Sequence, residues 1–406
     1  MIRSFLLICI PWSMLAQAPQ DTTDHKSILA LNAYCEAHWA SNAMSKFVLA
    51  GAAFGGDIST PVRSLTALTH WKGEGIAGGF ARAGVEAILP PAALFEAPAA
   101  GRWRTVVGLE TMQWADASWS PAAATLAFGR HGIGDDGSLR GTAYSFKSAT
   151  MLRIGGVRTI EREVRDIPMD VTVEWGLRMG EMHRAYTGGV HGSSSFQWND
   201  TLAEGSLAGM QFKNLTAGSA VGFDFGITVG EAQGGHGRRD AWSASFRNLS
   251  RGGRWQTETI FVDTTFSNEG WPLLTGDGPA FADMADRDTS ITGFARHLPH
   301  TVSFSWQREA LRAPGVMWTF TAERITIAPR WDLSMTRRSG RGALQTEVGL
   351  GWGGWGGAYI PVHVNLPSRT VRQGRPGGTL SIRTRWLALA GTGGRMGLGF
   401  HWGHTF

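Results

Sequence analysis

The amino-acid sequence predicts an all-β fold, an antiparallel transmembrane β-barrel of about fourteen strands (twelve to sixteen), with a short N-terminal helical or plug-like segment. Three observations predict it. Apolar residues alternate with Gly, Ser, Thr or single charges over segments of about ten residues. Gly makes up 55 of the 406 residues, and charged residues only 17%. The mean hydropathy is −0.11, and after the N-terminus no apolar run reaches the ~18 residues of a membrane-spanning helix.

The clearest alternation lies in the middle of the chain. Residues 171–180 and 221–230 place large apolar side chains on one face and Gly, Thr or a single charge on the other. A soluble sandwich would carry Lys and Glu on its water-facing side, whereas a membrane barrel turns its apolar face to lipid and its small or polar face to the lumen. We therefore expect Glu174, Arg178 and Asp224 to face the lumen, with Arg178 paired to acids on neighbouring strands.

The N-terminus is typical of a cleaved signal peptide spanning residues 1–18. Arg3 precedes an apolar stretch, residues 5–10, and Ala16-Gln17-Ala18 offers a cleavage site after Ala16 or Ala18. Together with a barrel, this export signal predicts location in the outer membrane of a Gram-negative cell.

Residues 19–100 differ in composition from the barrel expected over 101–406. Ser27–Met44 is rich in Ala and favours one or two short helices, and residues 65–91 are rich in Ala and Gly. We expect this segment to contribute the first strand or strands and a plug or hatch inside or beneath the barrel. A pair of ordinary strands is the alternative.

Connections between strands are predicted from Gly, Asp and Arg content. The expected loops are residues 130–140, 186–192, 231–240 and 269–288, the last of which is the longest and is expected on the extracellular side. Leu298-Pro299-His300 is expected to be a short periplasmic turn. Trp198, Trp255, Trp331 and Tyr359 are expected in the aromatic girdles.

The last residues, 396–406, alternate regularly up to a terminal aromatic side chain. Leu398, Phe400, Trp402 and Phe406 share one face. This pattern predicts the closing strand of the barrel and a membrane-insertion signal that the barrel-assembly machinery binds.

No motif for catalysis or cofactor binding stands out. Residues 349–354 match G-x-G-x-x-G, but β character continues after them, whereas a dinucleotide site needs a helix there. His and Ser residues form no nucleophile–base pattern, so we predict no enzyme, no cofactor and no metal, with an outer-membrane enzyme as a minor alternative.

Asp283, Asp286 and Asp288 leave a calcium loop open as an alternative to a solvated acidic loop. The net charge of +5 is scattered, which argues against nucleic acid as a partner.

Four stretches carry a resemblance to a known family: residues 41–47 followed by 55–58, residues 107–120, residues 126–131 and residues 241–249. They resemble an uncharacterised outer-membrane β-barrel family of Bacteroidota with a FadL-like or PorV-like shape. The resemblance implies a barrel of fourteen strands. That family has no established catalytic residues, so the resemblance assigns none to this sequence.

These features favour a conduit for small hydrophobic or amphipathic solutes. The alternative is a scaffold without transport that binds secretion or surface-protein machinery, for instance through residues 269–288. In either case the expected partners are outer-membrane lipid and lipopolysaccharide, and the barrel-assembly machinery during biogenesis.

The terminal aromatic residue gives a first testable prediction. Changing Phe406 to Asp, or deleting it, should impair membrane assembly more than a like change in a mid-chain strand, because the insertion signal would be lost. Heat-modifiable migration of the membrane fraction on gels measures assembly, and normal insertion of the Phe406→Asp variant would contradict the prediction.

Overall fold

The computed structural model describes most of the chain as β-strand. The described residues are 29–42, 75–89, 103–122, 136–164, 167–190, 195–199, 202–231, 240–250, 255–269, 285–290, 299–309, 316–339, 344–368, 377–386 and 395–405. The strands are β1 Ala30–Ser41, β2 Gly75–Leu89, β3 Trp103–Trp119, β4 Asp136–Ser138, β5 Ala143–Val164, β6 Ile167–Val190, β7 Ser195–Asn199, β8 Leu202–Glu231, β9 Asp240–Ser250, β10 Trp255–Glu269, β11 Ala285–Ser290, β12 Thr301–Glu309, β13 Met317–Ile325, β14 Asp332–Ser339, β15 Gln345–Gly353, β16 Ala358–Pro367, β17 Gly378–Trp386 and β18 Arg395–Thr405.

The strands form one closed antiparallel sheet. β1 pairs with β2 on one side and with β18 on the other, so Ala30 lies opposite both Ile88 and Thr405. In four cases two consecutive strands occupy the same position in the sheet, one beyond the other along the barrel axis, and together count as one wall strand. These pairs are β4 and β5, β6 and β7, β9 and β10, and β11 and β12. The eighteen strands therefore make a barrel of fourteen wall strands, which confirms the predicted fold class and strand number. Closure leaves no open sheet edge in lipid.

The wall is much taller on one side than on the other. We call the end with Ala30 and Thr405 the terminal end and the opposite end the distal end. β8 has 30 residues, whereas β14 has 8, and about 9–11 residues suffice to cross a membrane. The surplus lies at the distal end, where β4, β7, β10 and β11 extend the sheet around β8. Longer extracellular than periplasmic segments are usual in outer-membrane barrels, so the distal end corresponds to the cell exterior.

The outer face carries an apolar belt, as a membrane barrel requires. Its exposed side chains include Leu152, Ile154, Trp175, Leu177, Met179, Val221, Phe223, Phe225, Val348, Leu350, Trp352 and Leu398. Among the large apolar residues whose exposure the structure describes, Leu350 is the most exposed, at 68%. Among the described residues, the structure has no helix long and apolar enough to cross a membrane.

The N-terminal segment corrects one expectation. The helix predicted over Ser27–Met44 is wrong for Ala30–Ser41, which is wall strand β1, and Gly75–Leu89 is wall strand β2. The alternative of two ordinary strands therefore holds there. Ala favours helix locally, but pairing with β2 and β18 on both sides overrides that preference. The signal peptide, residues 43–74 and residues 90–102, and with them the predicted plug, lie outside the described residues.

Four smaller expectations also change. Residues 186–190 belong to β6 rather than to a loop. Pro299 and His300 lie at the distal end, because His300 bonds Thr326 of the β13–β14 turn, so they are not a periplasmic turn. Tyr359 is only 2% exposed and lies in the lumen, whereas Trp331 is 41% exposed as a girdle residue would be. Of the predicted 269–288 loop, residues 270–284, including Asp283, lie outside the described residues, whereas Asp286 and Asp288 belong to strand β11 and not to a loop.

The C-terminal strand β18 lies between β17 and β1. Leu398, Phe400 and Trp402 alternate with Arg395 and His401, whose side chains contact lumen residues, so the three apolar residues share the outer face. Phe406 lies outside the described residues. The insertion signal itself stays a prediction.

The exposed apolar belt predicts the effect of an added charge. Leu350→Arg should lower the free energy of unfolding by about 2–4 kcal/mol if Leu350 lies near the bilayer midplane, because the guanidinium would be transferred into lipid. Urea titration in lipid vesicles measures this energy. Leu350→Phe is the matched control and should change it little. Equal stabilities of the two variants would mean that this face does not meet lipid.

Candidate functional site in the barrel lumen

Charged side chains of the lumen have glycine as cross-strand neighbours. Arg153 lies opposite Gly108, Arg178 opposite Gly222, Glu174 opposite Gly226 and Asp224 opposite Gly176. The same pairing occurs between Glu36 and Gly399 and between Arg385 and Gly397. A long charged side chain can lie over a glycine because no Cβ occupies that space. The glycine-rich inner faces of the sequence thereby make room for a charged lumen.

Six residues from five wall strands form what we call the acid–arginine cluster: Glu86 (β2), Glu110 (β3), Arg153 (β5), Glu174 and Arg178 (β6), and Asp224 (β8). Arg153 pairs with Glu86, with Glu174 and, at 3.0 Å, with Asp224. Arg178 pairs with Glu110 and, at 2.7 Å, with Asp224. Three of these contacts (Arg153 with Glu86, Arg153 with Asp224, and Arg178 with Glu110) bridge strands that are not neighbours in the wall, so the cluster ties the wall together across the lumen.

Asp224 connects the cluster to an interruption of the wall. The pairing of β9 with β12 ends at Arg247 and Thr301, and Asn248 follows with a left-handed φ of 59°. The backbone N–H of Asn248 donates to Asp224 Oδ1 at 2.8 Å, and its side-chain Nδ2 donates to the Pro299 carbonyl at 3.0 Å. The same carboxylate therefore neutralises two arginines and satisfies the backbone where β9 departs from regular strand geometry.

A second group of polar side chains surrounds Asp332 on the other side of the lumen. Arg395 donates to Asp332 at 2.8 Å and to His38 Nε2 at 2.8 Å, and the Tyr359 hydroxyl donates to Asp332 at 2.5 Å. Arg385 bridges Asp332 at 3.3 Å and Glu323 at 3.4 Å. Arg395 is 1% exposed, and its guanidinium carbon lies 3.9 Å from the centre of the Tyr359 ring.

The β15–β16 turn explains the glycine-rich stretch that matches G-x-G-x-x-G. Gly353 and Gly354 have φ values of +121° and +62°, which disfavour any other residue. The turn places Trp355 in the lumen, where it is 3% exposed and lies over Gly78 of β2. This stretch is a strand and a turn, so the dinucleotide interpretation is excluded here.

The lumen is layered along its axis. On the distal side of the acid–arginine cluster lies an apolar layer of Ala40, Phe80, Met112, Trp114, Ala149, Met151, Met182, Ala220, Ile325, Ala328 and Trp355. On the terminal side lie hydroxyl pairs such as Ser243 with Ser305 and Ser245 with Ser303, both at 2.7 Å. Outer-membrane barrels usually have a polar lumen, which makes the apolar layer the unusual feature of this one.

Two small cavities lie where the apolar layer meets the charges. The first has an innermost volume of about 20 Å³ and adjoins Phe80, Met112, Trp114, Glu110 and Arg178. The second, of about 10 Å³, adjoins Phe80, Trp355, Asp332 and Arg385. Each has room for about one water molecule. Because Glu110, Arg178 and Asp224 are each 3% exposed, no water-filled pore runs along these side chains.

The residues predicted to face the lumen therefore lie together. Glu174, Arg178 and Asp224 are members of one cluster, and Arg178 has an acidic partner on the adjacent strand β8 as well as one on β3. Sequence reasoning missed Glu110, Arg153 and Glu86. Glu110 and Glu86 share a strand face with Gly108 and Gly84, but the same faces also carry Met112 and Phe80, so the alternation of large and small residues does not identify them.

Comparison with known proteins adds little beyond the fold. No protein-family model and no curated protein matches the chain, so the resemblance to a Bacteroidota family stays a prediction. Among solved structures, the toluene transporter TbuX of Ralstonia pickettii shares 6% identity over 93% of this chain and 89% of that chain, with a TM-score of 0.44. A TodX mutant, a monoaromatic hydrocarbon channel, shares 7% over 93% and 90%, with a TM-score of 0.40. The protease OmpT of Escherichia coli shares 8% over 96% and 98%, with a TM-score of 0.21. Likenesses this weak carry no information on solute or activity.

The charge-over-glycine arrangement gives a matched pair of variants. A Cβ added to Gly176 would lie 2.9 Å from Arg153 Nε, whereas one added to Gly226 would meet nothing closer than 3.6 Å. Gly176→Ala should displace Arg153 and weaken its contact with Asp224, at a cost of about 1–3 kcal/mol in the free energy of unfolding.

Gly226→Ala is the control and should change stability by less. Urea unfolding in vesicles, followed by gel mobility, compares the two variants. Equal losses would show that the space over Gly176 is not needed by Arg153.

Proposed function

We propose that the protein is an outer-membrane conduit for small apolar or amphipathic solutes, with a lumen held closed by the acid–arginine cluster. The observation that carries the proposal is the apolar layer at the distal end of the lumen, directly against a buried charged cluster. Lipid and lipopolysaccharide would contact the apolar belt, and the barrel-assembly machinery would insert the chain.

The apolar layer supports a hydrophobic solute. Phe80, Met112 and Trp114 are 5–8% exposed and adjoin the first cavity, so a solute there would lose contact with water on most of its surface. Small-molecule sites are mostly apolar with a few polar groups. Glu110 and Arg178 supply such groups at the inner end of this cavity.

The cluster supports a closed resting state. Ionisable residues inside a membrane protein are costly and usually mark a pathway. Removing one partner of a buried ion pair costs about 3–5 kcal/mol, because the other charge is left buried without compensation. Passage would then need a solute whose binding rearranges Arg178 and its partners.

A scaffold without transport is the second candidate, because the cavities are only about 20 and 10 Å³. In addition, the outer face of the wall becomes polar at the level where the inner face becomes apolar. Towards the distal end of β3, the outward-facing Leu109 is followed by Thr111, and the inward-facing Glu110 is followed by Met112. The apolar layer could therefore serve only as a packing core where the wall leaves the membrane.

Uptake of the fluorescent apolar probe N-phenylnaphthylamine by intact cells separates the two functions. Expression of the protein should raise the uptake rate several-fold over cells with an empty vector. Met112→Trp should return it to the vector level, because the larger side chain fills the first cavity.

Met335→Trp is the matched control, since Met335 is 51% exposed on the outer face. It should leave uptake unchanged at equal amounts of folded protein in the membrane. Uptake at the vector level by the unaltered protein would reject the conduit and favour the scaffold.

A further inference from the structure

We propose that the first cavity recognises the head group of an amphipathic solute, and that this head is a hydrogen-bond donor, a hydroxyl or an amine on a small apolar body. This inference rests on the proposed function, because it names the class of solute for the same site.

The Glu110 carboxylate supplies the main observation. Its Oε2 accepts a hydrogen bond from Arg178 Nη1, while its Oε1 is buried and has no hydrogen-bond partner among the described residues. The residue is 3% exposed and adjoins the first cavity. A buried acceptor on a charged group without a donor is costly, and a ligand that donates to it removes that cost.

The size of the cavity fits a small polar head. Its volume of about 20 Å³ holds one group of the size of water, such as a hydroxyl or an amine. Phe80, Met112, Trp114 and Ile325 line the same cavity and are 5–8% exposed, so a larger body attached to that head would displace and contact these apolar side chains.

The arginines nearby are mostly occupied by acids. Arg82 pairs with Glu36, and Arg178 pairs with Glu110 and Asp224. Arg247 also lines the cavity, which makes a carboxylate head the rival class of ligand. The unpartnered oxygen of Glu110 favours the donor, because a second carboxylate beside it would add like charge in a buried site.

Calorimetric titration of the purified protein in detergent micelles tests the head group, with empty micelles as the blank. The probes are 4-methylphenol, which donates a hydrogen bond, its methyl ether 4-methylanisole, which does not, and 4-methylbenzoate, which is an anion. The protein should bind 4-methylphenol about tenfold more tightly than 4-methylanisole. Equal binding of these two, or tightest binding of 4-methylbenzoate, would overturn the proposal.

Glu110→Gln gives a second readout. The Gln carbonyl can accept from Arg178, which turns the amide NH₂ towards the cavity as a donor. The preference for 4-methylphenol should then disappear or reverse in favour of the ether. Glu347→Gln is the matched control, because Glu347 is 4% exposed and lines neither cavity, and it should keep the original preference. An unchanged preference in folded Glu110→Gln would contradict the role of Glu110.

These measurements need no transport. Donor-selective binding without stimulated uptake in cells would reject the conduit and keep the head-group site. Stimulated uptake without donor-selective binding would support the conduit and reject the head-group site.

Discussion

Neutralisation of charge inside a closed wall is the constraint on which the rest of this structure depends. Each strand has lipid on one side and the lumen on the other, so an inward charge can find its partner only along or across the lumen. Arg153 and Arg178 meet this constraint with four carboxylates from β2, β3, β6 and β8. Glycine on the adjacent strand makes room for Arg153, because a Cβ on Gly176 would lie 2.9 Å from its Nε.

The same constraint separates the lumen into layers. Where the wall lies in lipid, the outer face is apolar and the inner face is charged. Where it rises beyond lipid, the faces exchange character: in β6, Met179 is followed by Glu181 on the outside, while Arg178 is followed by Gly180 and the buried Met182 on the inside. The cavities form at this boundary. A site there has an apolar wall within reach of the buried Glu110 Oε1, which suits an amphipathic solute.

Alternation made the barrel and its strand number predictable, because a period of two is visible in a single strand and the alternating segments can be counted along the chain. The Ala-rich β1 was not predictable, since its strand conformation depends on β2 and β18, at opposite ends of the chain. The alternation predicted that the side chains of Arg178 and Asp224 face the lumen, but it did not predict which side chains they contact. Glu110 lies two wall strands away from Arg178, and only the curvature of the closed wall brings the two together.

Accessibility of single cysteines from outside the cell tests the closed, layered lumen most directly. In a Cys35→Ser background, Arg140→Cys would report on the exposed distal end and Ser243→Cys on the terminal side of the acid–arginine cluster. The account predicts that a small membrane-impermeant thiol reagent added to intact cells labels Arg140→Cys but not Ser243→Cys. Labelling of Ser243→Cys at a similar rate would mean that an open aqueous path passes Arg178 and Glu110, and would contradict a lumen closed by their pairing.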